Sequence, residues 1–260
     1  MGKTEKYLLE SLEQKGALLA ALIDPLDYTD LKTAIKAGIL SAEAGADYIL
    51  VGGSTGVGGE LLDTVVKEIK QEISIPLVLF PGNVTTVSKY ADALYFMSML
   101  NSRNPYWISG AQTLAAPVVA AYKVEPLSLG YMVIEPGGTV GWVGDANKIP
   151  RAKPALAAAT ALASQFMGSH FVLSDAGSNP ADGPIPVEMA KAISSAISIP
   201  YIVGGGVRTP AQAKSIVSAG ADIIQVGTAL EKGGDVKKTV SSLAQAIHSA
   251  GKGREKKFSI

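Results

Sequence analysis

The chain contains no cysteine and only two histidines, His170 and His248, among 260 residues. Without cysteine there is no disulfide framework, thiolate nucleophile, iron–sulfur cluster or zinc ribbon. Two histidines cannot form a three-histidine zinc site, and a Ser-His-Asp triad would have to rest on one of them. Neither sign of charge is in excess: 23 basic and 23 acidic side chains are scattered along the chain and cancel. That balance leaves no electrostatic footprint for a polyanion, so nucleic acid is not an expected partner. No apolar run approaches the roughly 20 residues that cross a bilayer. The stretch Gly16-Ala-Leu-Leu-Ala-Ala-Leu-Ile23 follows Lys3 and Lys6 and so mimics a signal peptide. Glu5, Glu10, Glu13 and Lys15 interrupt its approach, however, and Asp24-Pro25 ends it without a small-residue cleavage pattern. It reads as an amphipathic helix feeding a buried strand, in a cytoplasmic protein. The chemistry left available is that of carboxylates, hydroxyls, backbone amides and a hard metal ion held by oxygen.

What the chain does have is 47% hydrophobic residues, enough for a large core, and 28 glycines. Short β-branched runs alternate with stretches of helical period, with glycine or proline at most crossings, which is the rhythm of a parallel α/β fold. Strands are expected at residues 17–24, 47–52, 76–80, 93–99, 129–134, 171–175, 200–204 and 223–227. Helices are expected at 29–44, 59–72, 104–122, 152–168, 186–197, 209–219 and 236–250, while the link 84–92 is too short for much of one. Two internal echoes support this reading. Ser74-Ile-Pro-Leu-Val-Leu-Phe-Pro-Gly82 recurs as Ser198-Ile-Pro-Tyr-Ile-Val-Gly-Gly-Gly206, an offset of 124 residues, or four βα units. Ala44-Gly-Ala-Asp47 recurs as Ala219-Gly-Ala-Asp222, where glycine ends a helix and aspartate starts a strand. Eight such units fit one (β/α)8 TIM barrel over residues 1–260, with a degenerate third helix. A doubly wound sheet would show G-x-G-x-x-G after its first strand, where Asp24-Pro25-Leu26-Asp27 stands instead.

In such a barrel the site lies at the C-terminal strand ends. His170 falls at the start of strand six and His248 near the end of the last helix, away from that rim. Gly204-Gly-Gly206 and Gly227-Thr228 end strands seven and eight, where glycine amides and helix N-termini receive a phosphate; tight βα turns are the plainer use of the same glycines. Asp24 ends strand one, where a carboxylate holds Mg²⁺ together with ligand phosphates, with the Ser54 hydroxyl on the adjacent strand as a partner. Turn capping is the competing role for both. Asp175 ends strand six and is the candidate general base or hydroxyl-orienting group, against a loop-capping role. Glu135 is similarly placed but precedes Pro-Gly-Gly, a turn sequence. No lysine sits at a strand end, which disfavours Schiff-base chemistry. Tyr106, Trp107 and Trp142 suit either the wall of a hydrocarbon slot or ordinary packing.

Several segments together resemble geranylgeranylglyceryl phosphate synthases, archaeal prenyltransferases on a modified TIM barrel. They are Leu22-Ile-Asp-Pro25, Val51-Gly-Gly-Ser-Thr-Gly56, Asn101-Ser-Arg-Asn-Pro-Tyr-Trp-Ile108, Gly130-Tyr-Met-Val-Ile-Glu-Pro136, Trp142-Val-Gly-Asp-Ala146, Ala176-Gly-Ser178, Gly204-Gly-Gly-Val207 and Val226-Gly-Thr228. The resemblance implies Mg²⁺ at Asp24 and Ser54. It implies sn-glycerol 1-phosphate along Leu173, Ser174, Asp175, Ala176, Gly177, Ser178 and Asn179, with Gly205, Gly206, Gly227 and Thr228. It further implies geranylgeranyl diphosphate as prenyl donor, with no membrane span but transient membrane contact for product release. The apolar, alanine-rich helices 104–122 and 152–168 suggest a homo-oligomer. One departure stands out: the family's strand-six motif reads Tyr-Leu-Glu-Ala-Gly-Ser-Gly, where this chain has Leu173-Ser-Asp-Ala-Gly-Ser-Asn179. A tyrosine hydroxyl is absent and the carboxylate is one methylene shorter. The other enzyme class compatible with the strand-end glycines is a phosphate-binding barrel isomerase or aldolase of small-metabolite biosynthesis; a barrel that only binds a phosphorylated metabolite is a third reading.

Overall fold

The structure, a computed structural model, describes residues 1–53, 55–231, 234–254 and 258. Eight parallel strands close in sequential order: β1 (Leu18–Ile23), β2 (Tyr48–Gly52), β3 (Leu77–Phe80), β4 (Ala93–Met99), β5 (Glu125–Val133), β6 (Phe171–Asp175), β7 (Tyr201–Gly204) and β8 (Ile223–Val226), which pairs back with β1. The expected TIM barrel is thus the fold. β3 and β7 keep the offset of the sequence echo, and they lie opposite each other in the ring.

The helices are α1 (Lys3–Lys15), α2 (Leu31–Glu43), α3 (Gly59–Glu72), α4 (Ala111–Tyr122), α5 (Gly138–Val143), α6 (Pro154–Phe166), α7 (Val187–Ala196), α8 (Pro210–Ser218), α9 (Thr228–Glu231) and α10 (Val236–Gly251). No helix joins β3 to β4, as the short link predicts. Turns there lie against α3, with Thr86 Oγ1 donating to the Val57 carbonyl at 2.9 Å and Ser88 Oγ to Asp63 at 2.5 Å. Two expected boundaries differ. The helix expected from 104 begins as a π-helical turn, Tyr106–Gly110, before α4. β5 starts at Glu125 rather than 129, because residues from Glu125 onward pair with the whole of β4 and the Glu125 carboxylate accepts the Thr4 and Glu5 amides at 2.7 and 2.9 Å.

Strand alternation divides the core in two. Leu18, Ala20, Tyr48, Leu50, Tyr95, Leu129, Tyr131, Leu173 and Ile223 pack inside the barrel, while Ala21, Ile49, Val51, Val172, Val203 and Ile224 face the helices. Leu8 and Leu12 of α1 join the inner cluster, so the amphipathic N-terminal helix closes the barrel's bottom. The Gly-Ala-Asp echo has its purpose at that end. Asp47 accepts the Leu19 amide at 2.7 Å and Asp222 accepts the Tyr201 amide at 3.0 Å, each pinning the start of the preceding strand. Asp92 does the same for Leu77 at 2.8 Å. Both histidines serve this bottom face, His248 on Asp47 at 2.8 Å and His170 on Glu5 at 2.6 Å.

Candidate active site

The C-terminal strand ends surround a cavity of about 1040 Å³ that opens to solvent. Asp24, Asp175, Gly177, Ser178, Asn179, Gly205, Gly206, Gly227 and Thr228 all line it, although they come from four strands spread over two hundred residues. Ser54 lies outside the described residues. Leu173 and Ser174 do not reach the cavity: Leu173 packs in the barrel below it, and alternation turns Ser174 outward, where its hydroxyl meets Tyr201 at 2.7 Å. Ala176 is buried in the outer core, so any part it plays in the site is through its backbone.

Asp24 follows β1 at the head of the short 3₁₀ turn Pro25–Asp27 and makes no side-chain cap to it. Burial and the neighbouring Asp27 charge push its carboxyl up to about 7, against the pull of the Leu26 amide. Asp27 and Glu231 line the same cavity. Neither is marked by a strand-end position in the sequence, since the turn and the short α9 carry them inward. Among the described residues, four carboxylates and one guanidinium, Arg208, therefore line the mouth. Among the described residues no three metal-ligating side chains stand close enough to hold an ion by themselves. A hard cation that takes one or two carboxylate oxygens, and completes its shell with water and ligand phosphate, fits this donor set.

Asp175 is 7% exposed and pinned on both oxygens: Tyr131 Oη donates to Oδ2 at 2.9 Å, and the Gly177 amide donates to Oδ1 at 2.7 Å. Burial raises its carboxyl above the ordinary range, while these two donors pull it back. The loop-capping role and a place in the cavity thus belong to one side chain. Tyr131 has no assigned role from sequence alone, because within Gly-Tyr-Met-Val it reads as a strand aromatic. In the barrel it supplies a hydroxyl beside Asp175, close to the position where Leu173 lacks one.

The corner where the sequence leads one to expect a phosphate depends on backbone close approach. Gly205 sits at φ +77°, and a Cβ there would stand 2.6 Å from the Gly177 carbonyl oxygen and 2.7 Å from Asp175 Oδ1. Only glycine lets the β7 turn close on the β6 turn.

A second, mostly apolar cavity of about 520 Å³ adjoins the first, lined by Val84, Leu94, Phe96, Ala111 and Ala115 among others. It shares Pro81, Met97, Met99, Trp107 and Tyr131 with the mouth. Of the three expected groove aromatics only Trp107 lines these cavities. Tyr106 stacks edge-on against it at 4.9 Å from outside. Trp142 is 85% exposed, because Val140 and Val143 present the other face of α5 to the mouth.

These features define a (β/α)8 barrel whose mouth, lined by carboxylates and glycine turns among apolar side chains, joins an apolar annex. The chain belongs to the PcrB family, whose sequence profile matches residues 14–246. It is similar to geranylgeranylglyceryl phosphate synthase of Thermococcus sibiricus, at 51% identity over 95% of this chain and 96% of that one. Among solved structures it is similar to (S)-3-O-geranylgeranylglyceryl phosphate synthase from Thermoplasma acidophilum in complex with substrate sn-glycerol-1-phosphate. That likeness has a TM-score of 0.90 and 34% identity, covering 96% of this chain and all of that one. Wild-type GGGPS from Thermoplasma volcanium matches with a TM-score of 0.88 and 35% identity, over 95% of this chain and 98% of that one.

Proposed function

We propose that this chain is a Mg²⁺-dependent prenyltransferase that joins geranylgeranyl diphosphate to the 3-hydroxyl of sn-glycerol 1-phosphate, releasing diphosphate and forming an ether bond. The observation that carries the reading is the pairing of cavities, a mouth in which carboxylates and glycine turns stand among apolar side chains and a more apolar annex, the two sharing Met97, Met99, Trp107 and Tyr131. A phosphorylated acceptor and a hydrocarbon donor meet in such a space. An isomerase or aldolase of small metabolites has no use for the annex, and the family relationship also favours the prenyltransferase.

The turns at Gly177, Gly205, Gly206, Gly227 and Thr228 hold the acceptor phosphate through backbone amides, and Arg208 adds charge at the same corner. Asp175, oriented by Tyr131 and Gly177, accepts the proton of the 3-hydroxyl as the oxygen approaches the donor's C1. The apolar annex aligns the prenyl chain and excludes water from its reactive end. Asp24, with Asp27 beside it and Ser54 as the sequence-predicted partner, would hold Mg²⁺. When bound, that ion neutralises the diphosphate and lets the allylic C–O bond loosen.

Among the described residues no helix is long and apolar enough to cross a membrane. On this reading the enzyme works in the cytoplasm, passes its lipid product to the membrane by transient contact, and assembles as a homo-oligomer. Exposed Leu114 and Val118 of α4 and Leu156 and Phe166 of α6 support the last point. The test supplies labelled sn-glycerol 1-phosphate, geranylgeranyl diphosphate and Mg²⁺ to the purified protein. A Mg²⁺-dependent ether product is expected; its absence from folded protein refutes the assignment.

A further inference from the structure

β8 carries one polar residue, Gln225, between Ile224 and Val226. Ile224 and Val226 pack in the outer core and Ile223 in the inner one, so alternation turns Gln225 into the barrel. It is 5% exposed, it lines the mouth cavity, and its Oε1 has no hydrogen-bond partner among the described residues. A buried amide oxygen left in this state has given up its bonds to water for nothing within the protein. The barrel does not need a polar group there: the facing residue on β1 is Ala20, and Leu22 is the next inward side chain along that strand. An acceptor kept without an internal donor, on the wall of a ligand cavity, is accounted for by a donor that arrives with the ligand.

The strand register says where that donor sits. β6 pairs Asp175 with Gly204, while β7 pairs Ile202 with Ile223 and Val203 with Ile224, so one further step sets Gly204 beside Gln225. Asp175 and Gln225 thus flank a strand position that has no side chain, with backbones about 10 Å apart. A Cβ at Gly204 would meet Leu173 Cδ1 at 3.3 Å and Asp175 Cγ at 3.4 Å, encroaching on this gap. Tyr131 and Gly177 fix the Asp175 carboxylate from its own side, which leaves it presented to one hydroxyl. A vicinal hydroxyl on the same small molecule then needs an acceptor from across the gap.

We infer that Gln225 is a specificity-determining residue of the acceptor site: its carboxamide oxygen accepts a hydrogen bond from the C2 hydroxyl of the glycerol phosphate, opposite Asp175 at the C3 hydroxyl. The inference rests on the acceptor reading proposed above, and the test separates the two. Wild type and Q225M, which removes the acceptor at nearly constant volume, are titrated calorimetrically with sn-glycerol 1-phosphate and with 3-hydroxypropyl phosphate, the analogue lacking the C2 hydroxyl. Wild type is expected to prefer the glycerol phosphate by roughly tenfold or more. Q225M is expected to lose that preference by weakening the glycerol phosphate alone. Its ligand-free thermal midpoint should be no lower than wild type, because an unpaired acceptor has been removed. Q225L serves the same comparison if Q225M does not fold. Equal weakening of both phosphates, or an unchanged preference, overturns the role of Gln225 and leaves the acceptor reading intact. Failure of wild type to bind either phosphate overturns the acceptor reading and this inference with it.

Discussion

Tyr131 donates its hydroxyl to Asp175 at 2.9 Å from the adjacent strand, so the one buried carboxylate among the described residues lining the mouth carries its own orienting donor. The pair places an oriented carboxylate on the wall of the cavity. It also restores a tyrosine hydroxyl near the strand-six position that Leu173 occupies.

Y131F therefore tests Asp175 as base. Removing a donor to the ionised form raises further a carboxyl that burial already holds high. A base works only when deprotonated, so the acidic limb of the kcat/KM profile should move to higher pH, with kcat/KM at neutral pH falling roughly ten- to hundredfold. A loss with no movement of the limb would assign Tyr131 to packing alone.

Asp24→Ala separates metal chemistry from acceptor binding. Turnover is expected to fall at least about a hundredfold. Affinity for sn-glycerol 1-phosphate, measured calorimetrically, should change little, since on the proposed reading the acceptor phosphate is held by backbone amides and not by the Asp24 carboxylate. Removing divalent ions from wild type with a chelator should reproduce the loss, and adding Mg²⁺ should reverse it.

Filling the annex should act on the donor and spare the acceptor. Ala115 lines the apolar cavity and does not line the mouth. In Ala115→Phe the KM for geranylgeranyl diphosphate is expected to rise roughly tenfold, since each methylene excluded from apolar surroundings costs about 0.8 kcal/mol. A geranyl donor, half as long, should be affected much less. Equal effects on both donors would place the long chain elsewhere.

Asp47→Ala addresses the opposite rim. The substitution leaves the Leu19 amide unpaired and strips Lys15 and His248 of their shared carboxylate. Stability should fall by about 2 kcal/mol, chiefly because the buried Leu19 amide is left without an acceptor, read from denaturant unfolding. The kcat of the remaining folded enzyme should be unchanged, because the bottom of the barrel stabilises and does not touch substrate.

Much of this architecture is legible in the residues alone. The period of the apolar runs, the 124-residue echo and the Gly-Ala-Asp repeat specify a βα barrel because each reflects a local rule of strand, turn or helix end. Asp24, Asp175 and the glycines of strands seven and eight were readable for the same reason: a strand's end is a local property, and its end names its place on the barrel. What lies in the middle of a strand or in a turn was not readable this way. Tyr131 and Gln225 look like ordinary strand residues until the inward face of each strand is known. Trp142 looks like a groove residue until α5 turns it to solvent, and Ser174 like a ligand contact until alternation buries it outward.

Taken alone, then, the sequence determined the fold, the absence of thiol and histidine chemistry at the mouth, and the set of strand ends where a site must form. Only closure of the barrel decided which side chains share that site. It brought Asp27 beside Asp24 and Glu231 into the same mouth, set Asp175 and Gln225 on either side of Gly204, and opened the apolar annex behind Trp107. The physical reason is that inward orientation, burial and register follow from how strands far apart in the chain pack together, and no run of neighbouring residues records them.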